Sequence, residues 1–319
     1  MVLQNEAQPY SPTQDQLAEL QKAITTGSGS AGDIIQPEVD QTLQNLIVLR
    51  SPFYAFLQER GRISGTRSAK PSFLKKLTGA AASFIAEGGN ITGGADSTFD
   101  LITGDMTTAI VPLEISDRMI MGSQDDVLDV FDQEIQDGMD LIINTVNIGM
   151  LTGTGSSYSI NGILNQVTTN TTNMSGAEIT SKFQVDQLCQ KVIDTGGSPT
   201  ALVTSANVKS QLEEILYPNV QVIPTVDMAF GYQVSSYNAP NGQNIPIIVD
   251  PAMPTTANQQ KLACVDYTTL MLKYLREPTV VDLAKTKLTE PYVLTSDQSF
   301  ILRAEQFNAT MYNIGTKTS

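Results

Sequence analysis

The sequence predicts an α+β protein, and three patterns in the chain predict it. One long segment, Ser123–Leu151, carries an apolar stripe at helical spacing and ends before Gly153. Segments of strand-like composition lie on either side of it, at Thr107–Ser116 and at Phe300–Tyr312. Between them, helix-like and strand-like segments alternate over residues 183–249. With 319 residues, the chain is long enough to bury one large core or two medium ones.

The segment Ser123–Leu151 is the strongest single prediction in the chain. Ser123 is placed to cap a helix, and Asp125 and Asp126 favour the positively polarised N-terminal end. A helix over these residues would be roughly 43 Å long, which is far beyond the average helix. We therefore expect it to be the central spine of the molecule.

The second half of the chain predicts alternating helices and strands. A helix over Phe183–Asp194 would place Phe183, Leu188 and Val192 inward, and Ser205 would cap a second helix at Asn207–Leu216. The predicted strands are Ala201–Thr204, Val220–Ile223, Tyr232–Ser236, Ile245–Val249, Leu262–Val265, Thr269–Lys273 and Thr279–Leu283, besides the long one at Phe300–Tyr312.

The beginning of the chain predicts an extended arm followed by short helices. Residues 1–33 are rich in Gln, Ser, Thr and Gly, with one weak helical pattern at Ser11–Thr25. Further helices are expected to start at Pro37 and at Pro52. The polar start has no basic and apolar leader, so we expect a soluble chain made inside the cell.

Residues 62–110 differ from their surroundings because glycines separate short strand-like pieces. Two pieces, Ser72–Leu77 and Ala82–Ala86, are expected to form a hairpin ribbon. A loop of this length with only ribbon structure is uncommon in a compact domain and usually has a function.

Charge divides sharply along the chain. Residues 50–76 contain seven Lys and Arg against Glu59, whereas residues 77–151 contain 13 Asp and Glu against Arg118. If the basic ribbon extends outward, it would present a positive strip to the acidic face of a neighbouring molecule. The alternative is two ordinary solvated faces. The candidate contact residues are Arg60, Arg62, Arg67, Lys70, Lys75 and Lys76 on the strip, with Asp125, Asp129 and Asp132 on the spine.

Several classes of chemistry are excluded or unsupported. The chain has no His, which removes histidine-based nucleophilic catalysis and the usual zinc-protease motif. Cys189 and Cys264 are too far apart for a CxxC pair, and buried thiols are favoured over a disulfide. No glycine-rich segment has the spacing of a phosphate loop, so we predict no cofactor. The acidic residues leave a carboxylate-dependent hydrolase open as an alternative.

The order of several short motifs resembles the major capsid proteins of tailed bacteriophages, which have the Hong Kong 97 shell fold. Each motif is weak alone, but their order is fairly specific. The similar stretches are Gly32–Val39, Ser51–Phe53, Phe84–Gly89, Ile110–Ser116, Asp117–Leu151, Leu151–Gly155, Ile160–Leu164 and Val265–Leu270.

The resemblance implies an architecture of four parts. These are an N-terminal arm (1–37), an extended loop (62–110), an axial domain (171–261) and a peripheral domain with the spine helix. The peripheral domain would be built from residues 38–61, 111–170 and 262–319. The Phe84–Gly89 stretch matches a motif of the family's extended loop, so residues 62–110 correspond to that loop.

The resemblance also implies a non-enzymatic function. Many copies would assemble into hexamers and pentamers of an icosahedral shell around double-stranded DNA, with portal and possibly separate scaffolding or cement proteins as partners. The location would be the virion, after assembly in the host cytoplasm, with no membrane. A related alternative is the shell of an encapsulin-type nanocompartment.

Overall fold

The computed structural model describes most of the chain beyond residue 50. The residues that it describes are 51–79, 84–89, 96–123, 130–156, 158–216, 226–227, 233–285 and 287–317. The predicted arm, its weak helix and the helix at Pro37 lie outside the described residues, as do the predicted strand Val220–Ile223 and the carboxylates of Asp125 and Asp129.

The described chain contains six helices and thirteen strands. The helices are α1 Pro52–Glu59, α2 Asp117–Ser123, α3 Val130–Thr152, α4 Ile163–Gln166, α5 Lys182–Asp194 and α6 Ala206–Leu216. The strands are β1 Ile63–Gly65, β2 Ser72–Thr78, β3 Thr98–Thr103, β4 Thr107–Ser116, β5 Thr171–Asn173, β6 Ala201–Thr204, β7 Val226–Asp227, β8 Gln233–Asn238, β9 Asn244–Val249, β10 Gln260–Val265, β11 Leu270–Asp282, β12 Thr289–Leu302 and β13 Ala309–Ile314.

The strands form three sheets. A four-stranded sheet has the order β1-β11-β12-β4, in which β11, β12 and β4 are antiparallel and β1 is parallel to β11. A seven-stranded mixed sheet has the order β5-β13-β10-β6-β9-β8-β7. The third sheet is the two-stranded ribbon of β2 and β3. The α+β prediction is therefore confirmed.

The spine helix α3 packs on one face of the four-stranded sheet. Its Ile142, Val146 and Met150 are buried in a core that also contains Leu294 of β12 and Phe56 of α1. The apolar stripe read from the sequence therefore faces the core, because residues three and four apart share one side of a helix. The prediction that the helix ends near Leu151 is confirmed, since α3 ends at Thr152.

The seven-stranded sheet separates two cores. Along β6, Ala201 and Val203 face the core shared with α3, whereas Leu202 faces a second core under α5 and α6. Strand β10 alternates in the same way, with Ala263 in the first core and Cys264 in the second. This sheet combines strands from the predicted axial segment with β10 and β13, which come from the last predicted peripheral segment.

Three predicted strands near the end of the chain are wrong in their limits. The segment Phe300–Tyr312 is not one strand, because β12 ends at Leu302, β13 begins at Ala309, and the two lie in different sheets. Between them, the buried Asn308 amide donates to Ala304 O and to Thr269 Oγ1, which fixes a short 3₁₀ turn. The two strands predicted around residues 269–283 are instead one bulged strand, β11.

Two predictions at helix beginnings also need correction. Phe183 is 62% exposed and lies outside the core, while Val185, Leu188 and Val192 are buried. Its position follows from a capping box in which Ser181 and Gln184 bond to each other's backbone, so that Phe183 falls in the first turn. Ser123 ends helix α2, so helical backbone precedes the residue that was predicted to cap the spine.

Two further observations bear on function. Within the described ranges, no helix is both long and apolar enough to cross a membrane. Among the same residues, no group of three or more Asp, Glu or Cys side chains is arranged to hold a metal ion.

Candidate functional site

The ribbon of β2 and β3 is the part of the described chain with the most unusual surface. Leu74 lies opposite Leu101, and Lys76 lies opposite Phe99, so these four side chains share one face. We call these four residues, Leu74, Lys76, Phe99 and Leu101, the ribbon patch. Its three apolar side chains are largely exposed to solvent: Leu74 by 75%, Phe99 by 62% and Leu101 by 56%. Soluble monomers rarely leave a contiguous apolar patch uncovered, which marks this face as a contact surface.

The other face of the ribbon is turned toward the rest of the chain. The guanidinium carbon of Arg303 lies 4.1 Å from the centre of the Phe73 ring, a distance typical of cation–π stacking. Lys75 is half-buried on this face. The pKa of Glu305 lies below its ordinary value. Burial alone would raise this pKa, but hydrogen bonds from Thr169 and Thr168 and the charge of Lys75 outweigh that effect. The charge of Lys75 therefore acts on Glu305 from the inner face of the ribbon.

The root of the ribbon is held by a close backbone approach. The amide of Gly104 donates to the carbonyl of Pro71, which closes the ribbon at 2.9 Å. A methyl group at Gly104 would overlap Ser299 Oγ and lie 2.8 Å from Ile301 Cγ1 on strand β12. Only glycine fits here, because the chain crosses directly over the four-stranded sheet.

The spine helix presents an acidic face to solvent. Asp132, Glu134 and Asp140 are exposed, and no ion pair between described residues includes any of the three. Gln133 donates to Asp137 one turn further on, at 3.1 Å. Asp132, Glu134 and Asp140 therefore give the exposed side of α3 a negative charge that no described residue neutralises by an ion pair, as the charge pattern of the sequence indicates.

The predicted basic residues divide into two groups. Arg67, Lys70 and Lys76 are exposed. Arg60, which is also exposed, and the half-buried Arg62 lie against Tyr267, with their guanidinium carbons 5.4 and 5.1 Å from its ring centre, while Lys75 is half-buried on the ribbon. Among the described residues, no ion pair joins any of the basic residues to Asp132 of the same chain. The contact between the strip and the spine of a neighbour stays a prediction.

Sequence reasoning missed the second strand of the ribbon. Ala82–Ala86 was expected to pair with β2, but residues 84–86 are not in a strand, and the partner is β3. The alternation Thr98-Phe99-Asp100-Leu101 carried this signal, although the surrounding glycines obscured it. Phe99 and Leu101 were missed because their role depends on pairing across the ribbon, and Arg303 was missed because only the fold brings it to Phe73.

The cavities give no support to a carboxylate-dependent hydrolase. A cavity of about 280 Å³ between the ribbon root and residues 155–161 has Asp105 as its lining carboxylate. Another of about 250 Å³, beside Tyr54 and Tyr274, has Glu277. Neither offers the two facing carboxylates that glycoside hydrolysis needs.

Comparisons with solved structures show the fold. The capsid of a native GTA particle matches with a TM-score of 0.68 and 13% identity, over 91% of this chain and 99% of that one. The capsid of cyanophage A-1(L) matches with a TM-score of 0.69 and 12% identity, over 89% and 98%. The SrpI encapsulin of Synechococcus elongatus matches with a TM-score of 0.65 and 12% identity, over 89% and 95%. The fold is therefore of the Hong Kong 97 type.

Sequence comparison identifies the family. No curated protein matches the chain. The family model described as "SU10 major capsid protein" matches residues 25–315, which is nearly the whole chain. The chain therefore belongs to the SU10 major capsid protein family, and its role is that of a structural protein that forms a shell.

Proposed function

We propose that many copies of this chain assemble, through hexamers and pentamers, into a closed icosahedral shell that encloses double-stranded DNA. The observation that carries the proposal is the ribbon patch, which no described residue of the chain covers. A two-stranded ribbon is marginal by itself, and a neighbouring copy would supply the third surface that buries its apolar face. Obligate shells of this kind bury large interfaces.

The charge distribution supports a contact between copies in which the ribbon meets the spine of a neighbour. Lys76 lies on the ribbon patch, and Arg67 and Lys70 precede it on the exposed side of the chain. The exposed Asp132, Glu134 and Asp140 supply negative charge on α3 for such a contact. Apolar burial would provide the free energy, and the opposite charges would set register and encounter rate.

The four-part division supports the same function. We assign residues 1–37 to an arm, 62–110 to the extended loop, 171–261 to an axial domain, and 38–61, 111–170 and 262–319 to a peripheral domain. The ribbon β2–β3 falls within the extended loop, and α3 falls within the peripheral domain.

The net charge of −14 supports a shell that encloses DNA without sequence-specific binding. An acidic wall repels the phosphate backbone, so packaged DNA would slide past it instead of adhering. We expect the shell to be part of a virion that assembles in the host cytoplasm. Portal, scaffolding and cement proteins would be separate chains, and the subunit itself would carry no enzymatic activity.

The encapsulin likeness supports a second candidate, a nanocompartment that holds cargo proteins. The two folds are alike, since the SrpI encapsulin matches with a TM-score close to those of the phage capsids. The family model favours the viral shell. Genes that neighbour the coding sequence would separate the two functions: terminase and portal genes accompany a phage shell, and a cargo enzyme accompanies a nanocompartment.

The test is assembly of the purified chain, followed by negative-stain electron microscopy and analytical ultracentrifugation. We expect closed particles tens of nanometres across from the wild type. Leu74→Ser with Leu101→Ser should abolish or strongly reduce particles while the circular dichroism spectrum and melting of the unassembled subunit stay unchanged. Leu101→Ile, which keeps the apolar surface, is the matched control and should assemble. Normal particles from the double serine variant would remove the ribbon patch from the interface.

A further inference from the structure

Three arginine side chains converge at the root of the ribbon. Arg60 and Arg62 lie against the ring of Tyr267, and Arg303 lies against Phe73. The backbone places them together, because the carbonyl of Arg62 accepts from Leu272 in β11 and the amide of Arg303 donates to the carbonyl of Thr269, the residue before β11. The arginine cluster (Arg60, Arg62 and Arg303) therefore has its position fixed by the four-stranded sheet.

The positive charge of the arginine cluster is not neutralised within the subunit. In the part of the chain that the structure describes, no carboxylate lies within 4.0 Å of any of the three guanidinium groups. The Nε atoms of Arg62 and Arg303 are buried and have no hydrogen-bond partner among the described residues. The guanidinium group of Arg303 donates to the weakly accepting sulfur of Met271 at 3.4 Å. Unpaired buried donors of charged groups are costly, so the cluster is incomplete as it stands.

The electrostatics agree with this geometry. Burial, followed by the neighbouring charge of Arg62, lowers the pKa of the Arg303 guanidinium. An anion placed between two neighbouring positive charges offsets their repulsion. The guanidinium group presents several N–H donors in a flat fork that fits a carboxylate or a phosphate.

We propose that the arginine cluster is a carboxylate-binding site that takes an Asp or Glu side chain from a second copy of this chain. The proposal rests on the proposed function, because it needs copies in contact. It deepens that function by assigning Arg303, Arg62 and Arg60 as a distinct anchor at the ribbon root, separate from the ribbon patch.

Two observations favour a carboxylate of a second copy over DNA. The chain carries 33 Asp and Glu against 19 Lys and Arg, and the exposed Asp132, Glu134 and Asp140 take part in no ion pair between described residues. The two Nε atoms are also shielded from solvent. Arg62 and Arg303 as a whole are half-buried, so a single flexible acidic side chain can approach the rest of each guanidinium group, whereas the rigid backbone of a DNA duplex contacts exposed side chains.

The first experiment is carbodiimide coupling in assembled, DNA-free shells of Arg62→Lys and Arg303→Lys. Each substitution keeps the charge and adds a primary amine, which the carbodiimide joins to a nearby carboxylate with loss of one water. Shells made from a mixture of ¹⁴N- and ¹⁵N-labelled subunits distinguish links between chains from links within a chain by mass spectrometry. We expect mixed-isotope peptides that join position 62 or 303 to an Asp or Glu.

Arg276→Lys is the matched control. Arg276 pairs with Asp297 of its own chain at 2.8 Å, so its links should be within one chain only. If shells form but positions 62 and 303 give no links, or only links within a chain, the carboxylate site is wrong while the shell proposal stands.

A second experiment tests the site without assembly. The ¹⁵N–¹H resonances of the two arginine Nε groups in unassembled subunits should shift and saturate when acetate is added, and Arg303→Gln should remove the response of Arg62. No response to acetate would overturn the proposal, and so would a response to inorganic phosphate and duplex DNA alone. If the wild type forms no shells, the proposed function fails, and this titration still decides whether the cluster binds carboxylates.

Discussion

The side-chain amide of Asn147 donates to both carboxylate oxygens of Asp250, at 3.0 and 2.9 Å, and both residues are fully buried. The backbone amides of Phe53 and Ala252 also donate to this carboxylate, at 3.1 and 2.8 Å. One side chain at the end of β9 therefore joins the spine helix α3 to helix α1. These four hydrogen bonds stabilise the buried carboxyl group, and no described residue forms an ion pair with it.

The first prediction concerns the loss of this bond. Burial raises the pKa of Asp250, and the hydrogen bond from Asn147 is the largest of the effects that oppose the rise. Asn147→Ala should destabilise the unassembled subunit by about 2–4 kcal/mol at neutral pH, since it leaves a buried carboxylate short of donors. Urea unfolding measured by circular dichroism gives this free energy. Thr145→Ala, at an exposed position on the same helix, is the control and should change stability little.

The sign of the pH dependence follows from the direction of the shift. The folded-state pKa of Asp250 lies above its unfolded value, so this group favours the folded state most at low pH, and its contribution declines as the pH rises through the folded pKa. Without Asn147 the folded pKa rises further. The stability difference between wild type and Asn147→Ala should therefore shrink as the pH falls from 7 toward the ordinary Asp pKa of about 3.9. A constant difference would show that Asn147 acts by packing alone.

The second prediction compares two glycines near the spine. A methyl group at Gly153 would overlap the carbonyl oxygen of Ile160 and lie 2.5 Å from that of Gly149, and backbone atoms cannot move aside cheaply. Gly153→Ala should cost about 3 kcal/mol or more, or prevent folding. At Gly138 the nearest atoms are the flexible ends of Leu294 and Leu113, at 3.2 and 3.4 Å.

Gly138→Ala is therefore the matched control for the same chemical change. Alanine gains about 1 kcal/mol over glycine inside a helix, which offsets the mild crowding. We expect its unfolding free energy to stay within about 1 kcal/mol of the wild type. Equal losses at the two positions would mean that the turn after α3 is looser than its contacts indicate.

The third prediction separates the roles of adjacent lysines. Lys75 is half-buried and contributes to the lowered pKa of Glu305, whereas Lys76 lies exposed on the ribbon patch. Lys75→Glu should loosen the ribbon in the unassembled subunit, seen as faster hydrogen exchange over β2 and β3, because it faces Glu305 and Asp100. Lys76→Glu should leave this exchange unchanged and weaken assembly.

Reversing Lys70, Lys75 and Lys76 together should leave the subunit folded but impair assembly or shell stability. Light scattering as a function of subunit concentration measures the threshold for assembly in each variant. If Lys76→Glu assembles like the wild type in low salt, where surface electrostatics are strongest, the positive strip has no part in the interface.

The fold was more predictable from the sequence than the contact surface was. The stripe that contains Ile142, Val146 and Met150 repeats at helical spacing, so burial on one face could be read directly. The split of residues 300–312 into two strands could not, because it depends on Asn308 bonding to Thr269, 39 positions away. Phe183 was misplaced because a capping box, not periodicity, fixed the first turn of its helix.

The residues of the candidate site were predictable only in part. Charge runs pointed to Lys70, Lys75 and Lys76, but the sequence alone could not show that Lys75 turns toward Glu305. Arg303 stands alone in its stretch of sequence, and only the fold brings it to Phe73 and Arg62. Interfaces between copies leave little local signal, because the partner surface is absent from the pattern of one chain.

The last prediction concerns Cys189 and Cys264, which are both free and buried, with their sulfur atoms 3.7 Å apart across α5 and β10. The hydrogen bond to Cys189, together with burial, raises the pKa of the Cys264 thiol. Both thiols are buried, so the folded chain should resist a maleimide until urea unfolds it. Raising the pH from 7 toward the ordinary thiol pKa of about 8.5 should hardly accelerate labelling of the native protein. Ser68→Cys, which adds an exposed thiol, should show the full acceleration. If the labelling rate of the native cysteines rises with pH as steeply as that of the Ser68→Cys thiol, α5 opens away from β10 in solution.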